Sequence, residues 1–296
     1  MGVDFSIIVP TFRRPRRLQE CLEALVGLDF PPDRYEIVVV DDGGDTDLTP
    51  IIHELQRGPE IRLIRQQNAG PAAARNGGAK AARGEMLAFT DDDCRPDPQW
   101  LRTFSRHTEA ANHGAMLGGH TVNVLTGNIY ASASQRLIDY LYTYYNAGAT
   151  GKSFFTSNNM AVRRDLFFEL GGFSTAYRRA AGEDRDLCDK WQRAGYSLQY
   201  IPEAVVYHAH DMDVRDFLRQ HFNYGRAAYH YHKSRREHHN EGNTPEPARF
   251  YIDLIRFPVK QDGGPRSWME SGLMAVSQVA NAAGYYWDMW QSHRRR

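Results

Sequence analysis

The stretch Met86-Leu-Ala-Phe-Thr-Asp-Asp-Asp93 ends an apolar run of strand length with three consecutive carboxylates. Successive side chains of a strand point to opposite faces, so Asp91 and Asp93 are expected on one side while Asp92 points elsewhere or meets a hydroxyl. Neighbouring carboxylates repel one another unless a positive group lies among them. Two carboxylates on one side suit Mg²⁺ or Mn²⁺. The alternative is a solvated acidic turn before a helix capped by Asp97-Pro98.

Strand and helix patterns alternate through the first 93 residues. Four mainly apolar segments are predicted as strands: residues 5–9, 36–40, 61–64 and 85–90. Between them apolar residues recur at intervals of three and four, as on the helix that begins at Pro15. This alternation predicts an α/β fold with a doubly wound, mostly parallel sheet and crossover helices.

The second half of the chain is less regular. Further strands are expected at residues 116–124, 154–162 and 200–208, and a long helix at residues 213–231. Gly171-Gly172 and Gly195 end two shorter helices.

These patterns predict one domain over residues 1–232. It divides into a nucleotide-binding half, 1–95, and a smaller acceptor-side half, 96–232. Hydrophilic residues 233–249 indicate a linker, and residues 250–296 a C-terminal helical extension.

Composition limits the classes of partner. The 296 residues include 36 Lys+Arg and 36 Asp+Glu, so nothing indicates a nucleic-acid partner. The three scattered cysteines make no disulfide framework, which predicts a reducing, cytoplasmic location. No apolar run reaches about 18 residues, so no membrane span is expected. Residues 268–290 predict a packed C-terminal helix; the alternative is a helix along the inner membrane surface, a peripheral contact.

Ligands of doubly wound sheets bind beyond the carboxyl ends of the strands. Polar segments follow the four strands: Pro10-Thr-Phe-Arg13, Asp41-Asp-Gly-Gly44, Gln67-Asn-Ala-Gly70 and Asp91-Asp-Asp93. The first segment has no glycine, which argues against a dinucleotide fingerprint and a P-loop. The binding mode still open for this crevice is a nucleotide held by side chains and a metal.

Two segments suggest how a nucleotide is held. Asp41 and Asp42 offer carboxylates to a uracil or guanine ring N–H, although Asp-Asp-Gly-Gly also makes a simple turn. Arg75 follows one turn into a helix whose N-terminus favours a diphosphate. The alternative for Arg75 is a surface residue paired with an acid.

Five motifs together resemble glycosyltransferase family 2, of the GT-A fold. They occur in the family's order and spacing, and the resemblance covers residues 5 to about 230. The motifs are Ser6-Ile-Ile-Val-Pro-Thr-Phe-Arg13, Val39-Val-Asp-Asp-Gly43, Asn68-Ala-Gly-Pro-Ala-Ala-Ala-Arg-Asn76, Phe89-Thr-Asp-Asp-Asp93 and Gly182-Glu-Asp184. The resemblance implies an inverting hexosyltransferase that moves a sugar from a nucleotide-diphosphate sugar to a hydroxyl. The donor is most often a UDP-sugar, and the acceptor a saccharide, a lipid or a small molecule.

The resemblance also implies roles for individual residues. Asp184 would be the general base and Glu183 would orient the acceptor hydroxyl, although an acidic first helical turn explains both. Mn²⁺ or Mg²⁺ would be held by Asp91, Asp93 and His208, with His210 as the alternative histidine. The nucleotide would be surrounded by Pro10, Thr11, Phe12, Arg13, Asp41, Asp42, Asn68, Gly70, Arg75, Asp91 and Asp92.

Four residues of the second half are expected to line the sugar or the acceptor: Asn158, Asn159, Gly182 and Trp191. The alternatives are asparagines that satisfy buried backbone groups and a tryptophan of the core. The transmembrane helices and the Gln-x-x-Arg-Trp pattern of the family's processive synthases are missing, which favours a soluble or peripheral enzyme that adds one sugar. Two other classes remain: a sugar nucleotidyltransferase and a non-catalytic sugar-nucleotide-binding module.

Overall fold

The computed structural model describes residues 2–56, 58–110, 114–146, 153–177, 181–239 and 246–294. The chain forms two compact units. The first comprises residues 1–124 and 153–209, and the second residues 125–152 and 210–296.

The first unit is built on an eight-stranded sheet in the order β3-β2-β1-β4-β7-β6-β8-β5. Its strands are β1 Phe5–Thr11, β2 Tyr35–Asp41, β3 Glu60–Arg65, β4 Met86–Phe89, β5 Cys94–Pro96, β6 Met116–Asn123, β7 Met160–Arg163 and β8 Leu198–His208. Strands β3, β2, β1 and β4 are parallel neighbours. The predicted α/β fold with a doubly wound, mostly parallel sheet is thereby confirmed.

Crossover helices α1 Pro15–Val26, α2 Thr49–Leu55 and α3 Pro71–Ala81 join the parallel strands. Helix α1 buries Leu18, Cys21, Leu22 and Leu25, the apolar stripe expected from the sequence. All three helices carry proline in the first two positions, where a missing N–H leaves no hydrogen bond unmade. The carboxyl ends of β1, β2 and β4 therefore open onto the amino ends of α1 and α3.

The other half of the sheet departs from the predicted strands. The strand expected at residues 154–162 comprises only Met160–Arg163, which pairs antiparallel with β4 and β6. Residues 156–159 form a turn instead, in which the Asn159 N–H donates to the Thr156 carbonyl oxygen at 3.2 Å. The Phe155 ring lies against Gly118 of β6, where an added Cβ would come within 2.1 Å of it. Strand β5 was not predicted, whereas helix α4 Trp100–Ala110 begins just after Asp97-Pro98, where the sequence places a helix cap and the Gln99 N–H donates to Asp97 Oδ1 at 2.9 Å. Helices α6 Arg164–Glu169 and α7 Glu183–Arg193 complete this unit.

The second unit contains helices α5 Ile129–Asn146, α8 Val214–His239, α9 Ala248–Asp262 and α10 Pro265–Arg294. Helices α8 and α10 cross at two glycines with their backbones nearly in contact. A Cβ on Gly225 would lie 1.8 Å from the carbonyl oxygen of Asn281, and one on Gly284 would lie 1.9 Å from that of Phe222. Small residues at this crossing permit the close approach.

Helix α8 is longer than predicted, since it continues to His239 rather than ending near Tyr231. Residues 233–239 of the predicted linker are therefore helical, and residues 240–245 lie outside the described part of the chain. The C-terminal extension is helical in α9 and α10. Among the described residues, none of the helices combines the length and the apolar character needed to cross a bilayer.

Candidate active site

The acidic segment after β4 is neutralised by three arginines rather than exposed to solvent. Asp92 is fully buried, and its Oδ2 accepts hydrogen bonds from Thr11 Oγ1 at 2.7 Å and from Arg14 Nε at 3.1 Å. The expected hydroxyl contact of Asp92 is thereby confirmed. Burial raises the pKa of Asp92 to about 7, although the charge of Arg14 opposes this rise. The solvated acidic turn is excluded.

Asp93 faces a different set of cationic groups. Its Oδ2 accepts from Arg14 Nη1 at 3.0 Å and from Arg17 Nη1 at 3.3 Å. Arg14 and Arg17 come from the start of α1, so this helix supplies the charge that lets adjacent carboxylates stay close. Sequence reasoning missed both residues. The signal was present in the crowding of arginines at positions 13, 14, 16 and 17.

Asp93 also approaches His208 at the end of β8. The His208 Nε2 atom lies 3.3 Å from Asp93 Oδ1. Burial lowers the pKa of His208, but the hydrogen bond and charge of Asp93 outweigh this and raise it overall. Asp93, Cys94 and His208 each offer one ligand atom within 4.8 Å of the others. A carboxylate and an imidazole form a donor set that fits Mn²⁺, whereas the thiol of Cys94 is buried and its pKa is raised by burial.

Asp91 lies outside the group formed by Asp93, Cys94 and His208. Its Oδ1 accepts from Arg75 Nη2 at 2.6 Å. Arg75 is buried on α3, and its Nη1 donates to Glu183 Oε1 at 3.1 Å. Burial alone would lower the pKa of Arg75, but Asp91 and Glu183 raise it. The two acids are therefore held by one cation, and the alternative of a surface arginine is wrong.

The predicted base, Asp184, is the second residue of α7. Gly182 precedes this helix with a φ of 92°, a left-handed conformation that favours glycine. Asp184 Oδ1 accepts from the backbone N–H of Arg185 at 2.8 Å. Burial first, and the neighbouring charge of Glu183 second, raise the pKa of Asp184 to about 7. Glu183 itself is fixed, because its Oε2 accepts from the backbone N–H of Ala181 at 2.9 Å.

Asp42 organises the loop after β3. Its Oδ1 accepts from Gln66 Nε2 at 2.7 Å and from the Ala69 N–H at 2.9 Å, and its Oδ2 accepts from the Gly70 N–H at 2.9 Å. Asn68 Nδ2 donates to the carbonyl oxygen of Asp42 at 2.9 Å. Both carboxylate oxygens thus hold the loop that precedes α3. A nucleobase would have to share them.

The remaining predicted nucleotide residues lie near the same strand ends. Pro10 is buried in β1, and Asp41 Oδ1 accepts from the Gly44 N–H at 2.8 Å. Phe12 is 40% exposed beyond β1, with the Arg13 guanidinium 5.1 Å from its ring centroid. Arg13 has a φ of 55°, a strained conformation for a residue with a side chain. Phe12 and Arg13 could contact a nucleobase through an aromatic ring and a guanidinium group.

Two residues predicted to line the sugar serve the core instead. Trp191 is fully buried, and its Nε1 donates to the carbonyl oxygen of Gly114 at 2.7 Å. Asn159 is also fully buried: its Oδ1 accepts from Trp100 Nε1 at 2.8 Å, and its Nδ2 donates to two backbone carbonyl oxygens at 2.9 Å. Neither side chain is exposed to solvent. Asn158 is buried as well, and its Oδ1 accepts from the Thr156 hydroxyl at 2.7 Å.

Comparison with known proteins assigns the class to which this site belongs. Residues 6–171, more than half of the chain, match the family model described as glycosyl transferase family 2. The chain belongs to this family. The resemblance inferred from the five motifs is confirmed.

Several curated relatives are glycosyltransferases. The chain is 26% identical over 211 residues to glycosyltransferase AglE of Haloferax volcanii, covering 69% of this chain and 66% of the relative. It is 27% identical over 232 residues to a pre-mycofactocin glycosyltransferase of Mycobacterium tuberculosis, covering 76% of this chain and 47% of the relative. The chain thus spans less than two thirds of the length of these relatives.

Solved structures share the fold. The mannosyltransferase PcManGT of Pyrobaculum calidifontis, in complex with GDP-Man and Mn²⁺, superposes with a TM-score of 0.68 at 17% identity, covering 97% of this chain and 88% of the other. S. aureus TarS 1-349, in complex with UDP-GlcNAc, gives a TM-score of 0.55 at 16% identity, covering 99% of this chain and 92% of the other. The GT-A fold expected from the resemblance is confirmed.

Proposed function

We propose that the protein transfers a sugar from a nucleotide-diphosphate sugar to an acceptor hydroxyl, with inversion at the transferred carbon. One observation carries the proposal. Arg75 joins Asp91, at the end of β4, to Glu183, next to the candidate base on α7. One buried guanidinium thus links Asp91, assigned to the donor, with Glu183, the neighbour of the residue assigned to proton removal.

The donor is proposed to bind across the carboxyl ends of β1, β2 and β4. The exposed Phe12 ring with Arg13 would cover the nucleobase. The loop held by Asp42 would lead to the amino end of α3, which favours a diphosphate. A UDP-sugar is the first candidate. A GDP-sugar is the second, because the structural neighbour PcManGT binds GDP-Man.

A divalent cation, Mn²⁺ or Mg²⁺, is proposed to bind at Asp93 and His208. The support is the 3.3 Å separation of Asp93 Oδ1 and His208 Nε2 and the Mn²⁺ in the complex of PcManGT. When bound, the cation would neutralise the negative charge of the departing diphosphate. Asp91 would join this set only by sharing its carboxylate with Arg75.

Asp184 is proposed as the general base. A base acts best when its pKa lies near the working pH, and burial brings the pKa of Asp184 to about 7. Its carboxylate would accept the proton of the acceptor hydroxyl as that oxygen attacks the sugar from the face opposite the diphosphate. Glu183 is fixed by Arg75 and the Ala181 N–H, which suits a role in orienting the base or the acceptor. The acceptor is a hydroxyl of a saccharide, a lipid or a small molecule.

The proposed place of action is the cytoplasm. All three cysteines are unpaired and buried, as expected of a protein in a reducing compartment. They act as small packing residues.

The test is a screen of UDP-, GDP- and dTDP-sugars in the presence of Mn²⁺. A true donor at 100 times its dissociation constant should add about 2.7 kcal/mol to the free energy of unfolding. The donor that protects is then incubated with the enzyme, and the released product is identified. A nucleoside diphosphate supports glycosyl transfer, pyrophosphate supports a nucleotidyltransferase, and binding without turnover by any acceptor class supports a binding module.

A further inference from the structure

Helix α10 carries its large apolar side chains on the face that the protein leaves uncovered. Seven of them are between 44% and 71% exposed: Trp268, Met269, Val276, Val279, Tyr286, Trp287 and Trp290. They recur at intervals of three and four with Gly272 and Ala283 between them, so they form one stripe, here called the aromatic face. At 1.5 Å per residue, the stripe is roughly 33 Å long.

The opposite face of α10 shows the reverse polarity. Most of its buried residues are small or polar: Ser267, Glu270, Ser271, Ser277, Gly284 and Asp288, with Met274 as the exception. The usual surface helix buries apolar residues and exposes polar ones. Helix α10 therefore packs against the protein mainly through small and polar residues and leaves its apolar face exposed. Large exposed apolar patches mark interaction sites, so this face is expected to contact another partner.

The charges of α10 point to the kind of partner. Both of its carboxylates are buried and paired, Glu270 with Arg136 at 3.2 Å and Asp288 with Arg226 at 2.9 Å. Between positions 271 and 287 the sequence has no charged residue. Within Pro265–Arg294, the aromatic face is thus free of negative charge.

At one end of the aromatic face, Arg266 is 49% exposed, but its Nε already pairs with Glu270 Oε1 at 3.4 Å. The other end is basic, since Arg294 stacks 3.8 Å from the Trp290 ring centroid. The sequence continues with two further arginines, 295 and 296. A second copy of this helix in parallel orientation would bring these C-terminal arginines together, whereas an anionic surface would attract them.

We propose that the aromatic face of α10 docks onto an anionic phospholipid bilayer, with the helix lying in the plane of the interface. Tryptophan and tyrosine prefer the interfacial region because their rings are apolar and their N–H and O–H groups remain hydrated. Arginines beside them would contact lipid phosphates. The carboxylates and their partners would stay on the protein side.

The binding test uses the full chain and sedimentation with vesicles. Vesicles of 70% phosphatidylcholine and 30% phosphatidylglycerol should bind the protein, and pure phosphatidylcholine vesicles should bind it at least tenfold more weakly. Three of the five tryptophans lie on the aromatic face, while Trp100 and Trp191 are fully buried. Tryptophan emission should therefore shift to the blue on binding.

Val279→Glu places a charge at the centre of the face, at a residue that is 71% exposed and whose side chain we therefore expect the fold not to need. We expect its partition into anionic vesicles to fall at least tenfold. Val214→Glu is the matched control, because Val214 is 46% exposed at the start of α8 and off the aromatic face. Its partition should stay within twofold of the unchanged protein.

Three outcomes would overturn the proposal. They are no partition into anionic vesicles, an equal loss in both variants, and a stable dimer that Val279→Glu dissociates, which would assign the face to a second copy. Sedimentation velocity without lipid separates the last case. None of these measurements needs a donor or an acceptor, so they fail or succeed independently of the proposed transfer.

Discussion

Arg75 and Glu183 are separated by 108 positions in the chain and form a buried ion pair, with 3.1 Å between Nη1 and Oε1. Arg75 lies in the first turns of α3, near the helix end that favours phosphate, and Glu183 is the first residue of α7. Because neither side chain is exposed by more than a few per cent, the pair is shielded from water and salt. The relative placement of donor and base residues therefore depends on this contact.

Arg75→Ala should lower the free energy of unfolding by about 3–5 kcal/mol, because it leaves Glu183 and Asp91 without their cation in a buried site. Urea unfolding followed by circular dichroism measures this. Arg65→Ala removes an exposed pair with Asp47, and should change the stability by less than about 1 kcal/mol. Equal effects of the two substitutions would refute the structural role of Arg75.

Asp184→Asn should reduce the rate of transfer by roughly 10² to 10⁴ while the donor still binds, because the amide cannot accept the proton of the acceptor. Asp189→Asn is the matched control on the same helix, since Asp189 pairs with Arg193 at 2.7 Å and should leave the rate nearly unchanged. Initial rates and donor calorimetry are measured together. Full turnover by Asp184→Asn would remove this residue from the mechanism.

The pH dependence should follow Asp184. Its pKa in the folded protein is about 7, above the ordinary 3.8, so kcat/KM should rise with pH and level off above about 7. Between these values the folded protein holds a proton that the unfolded chain has lost, and so this residue's contribution to stability falls as pH rises. Asp184→Asn should therefore gain Tm relative to the unchanged protein at pH 8 but not at pH 4. A constant difference would contradict the raised pKa.

Removal of His208 should weaken Mn²⁺ binding. The expected loss for His208→Ala is at least tenfold, whereas His210→Ala, two positions further along, should bind as before. Titration calorimetry with Mn²⁺ and a nucleoside diphosphate provides the readout. If a chelator leaves the affinity for the nucleoside diphosphate unchanged, no metal takes part.

Asn159→Ala should destabilise the fold by about 2–4 kcal/mol, because it leaves the Trp100 N–H and two backbone carbonyls buried without partners. Asn158→Ala should cost less, since the Thr156 hydroxyl that bonds to Asn158 can rotate to another acceptor. Thermal unfolding compares the two. Equal losses would show that the two asparagines are equivalent in the core.

The parallel half of the sheet was predictable because short, mainly apolar segments of strand length alternate with helical stripes, as in residues 36–40 before Thr49–Leu55. The strand at Met160–Arg163 was overestimated because polar residues such as Asn159 and an aromatic such as Phe155 also suit a strand. Only their partners across the fold, Trp100 and Gly118, show that they leave the ladder. Local pattern does not contain such distant contacts.

The candidate site was predictable by motif and less so by contact. The acidic triplet indicated a positive partner, but its positive partners include Arg14 and Arg17 from α1 as well as Arg75 from α3. The fixed geometry of Asp42, which holds the loop before α3, follows from three hydrogen bonds that no spacing in the sequence encodes. Trp191 was assigned to a sugar because of its position in the sequence. Its burial depends on how α7 packs, which the sequence alone does not show.

The glycine crossing of α8 and α10 determines how the C-terminal helix can be placed. Because Gly225 and Gly284 each meet the carbonyl oxygen of the facing helix, displacement of α10 by one turn would put Ala280 or Asp288 where no side chain fits. A shift of α10 by one turn in either direction is therefore excluded. A side chain on either glycine would force the two helices apart, and the outer stripe that includes Val279 and Trp287 would move with α10.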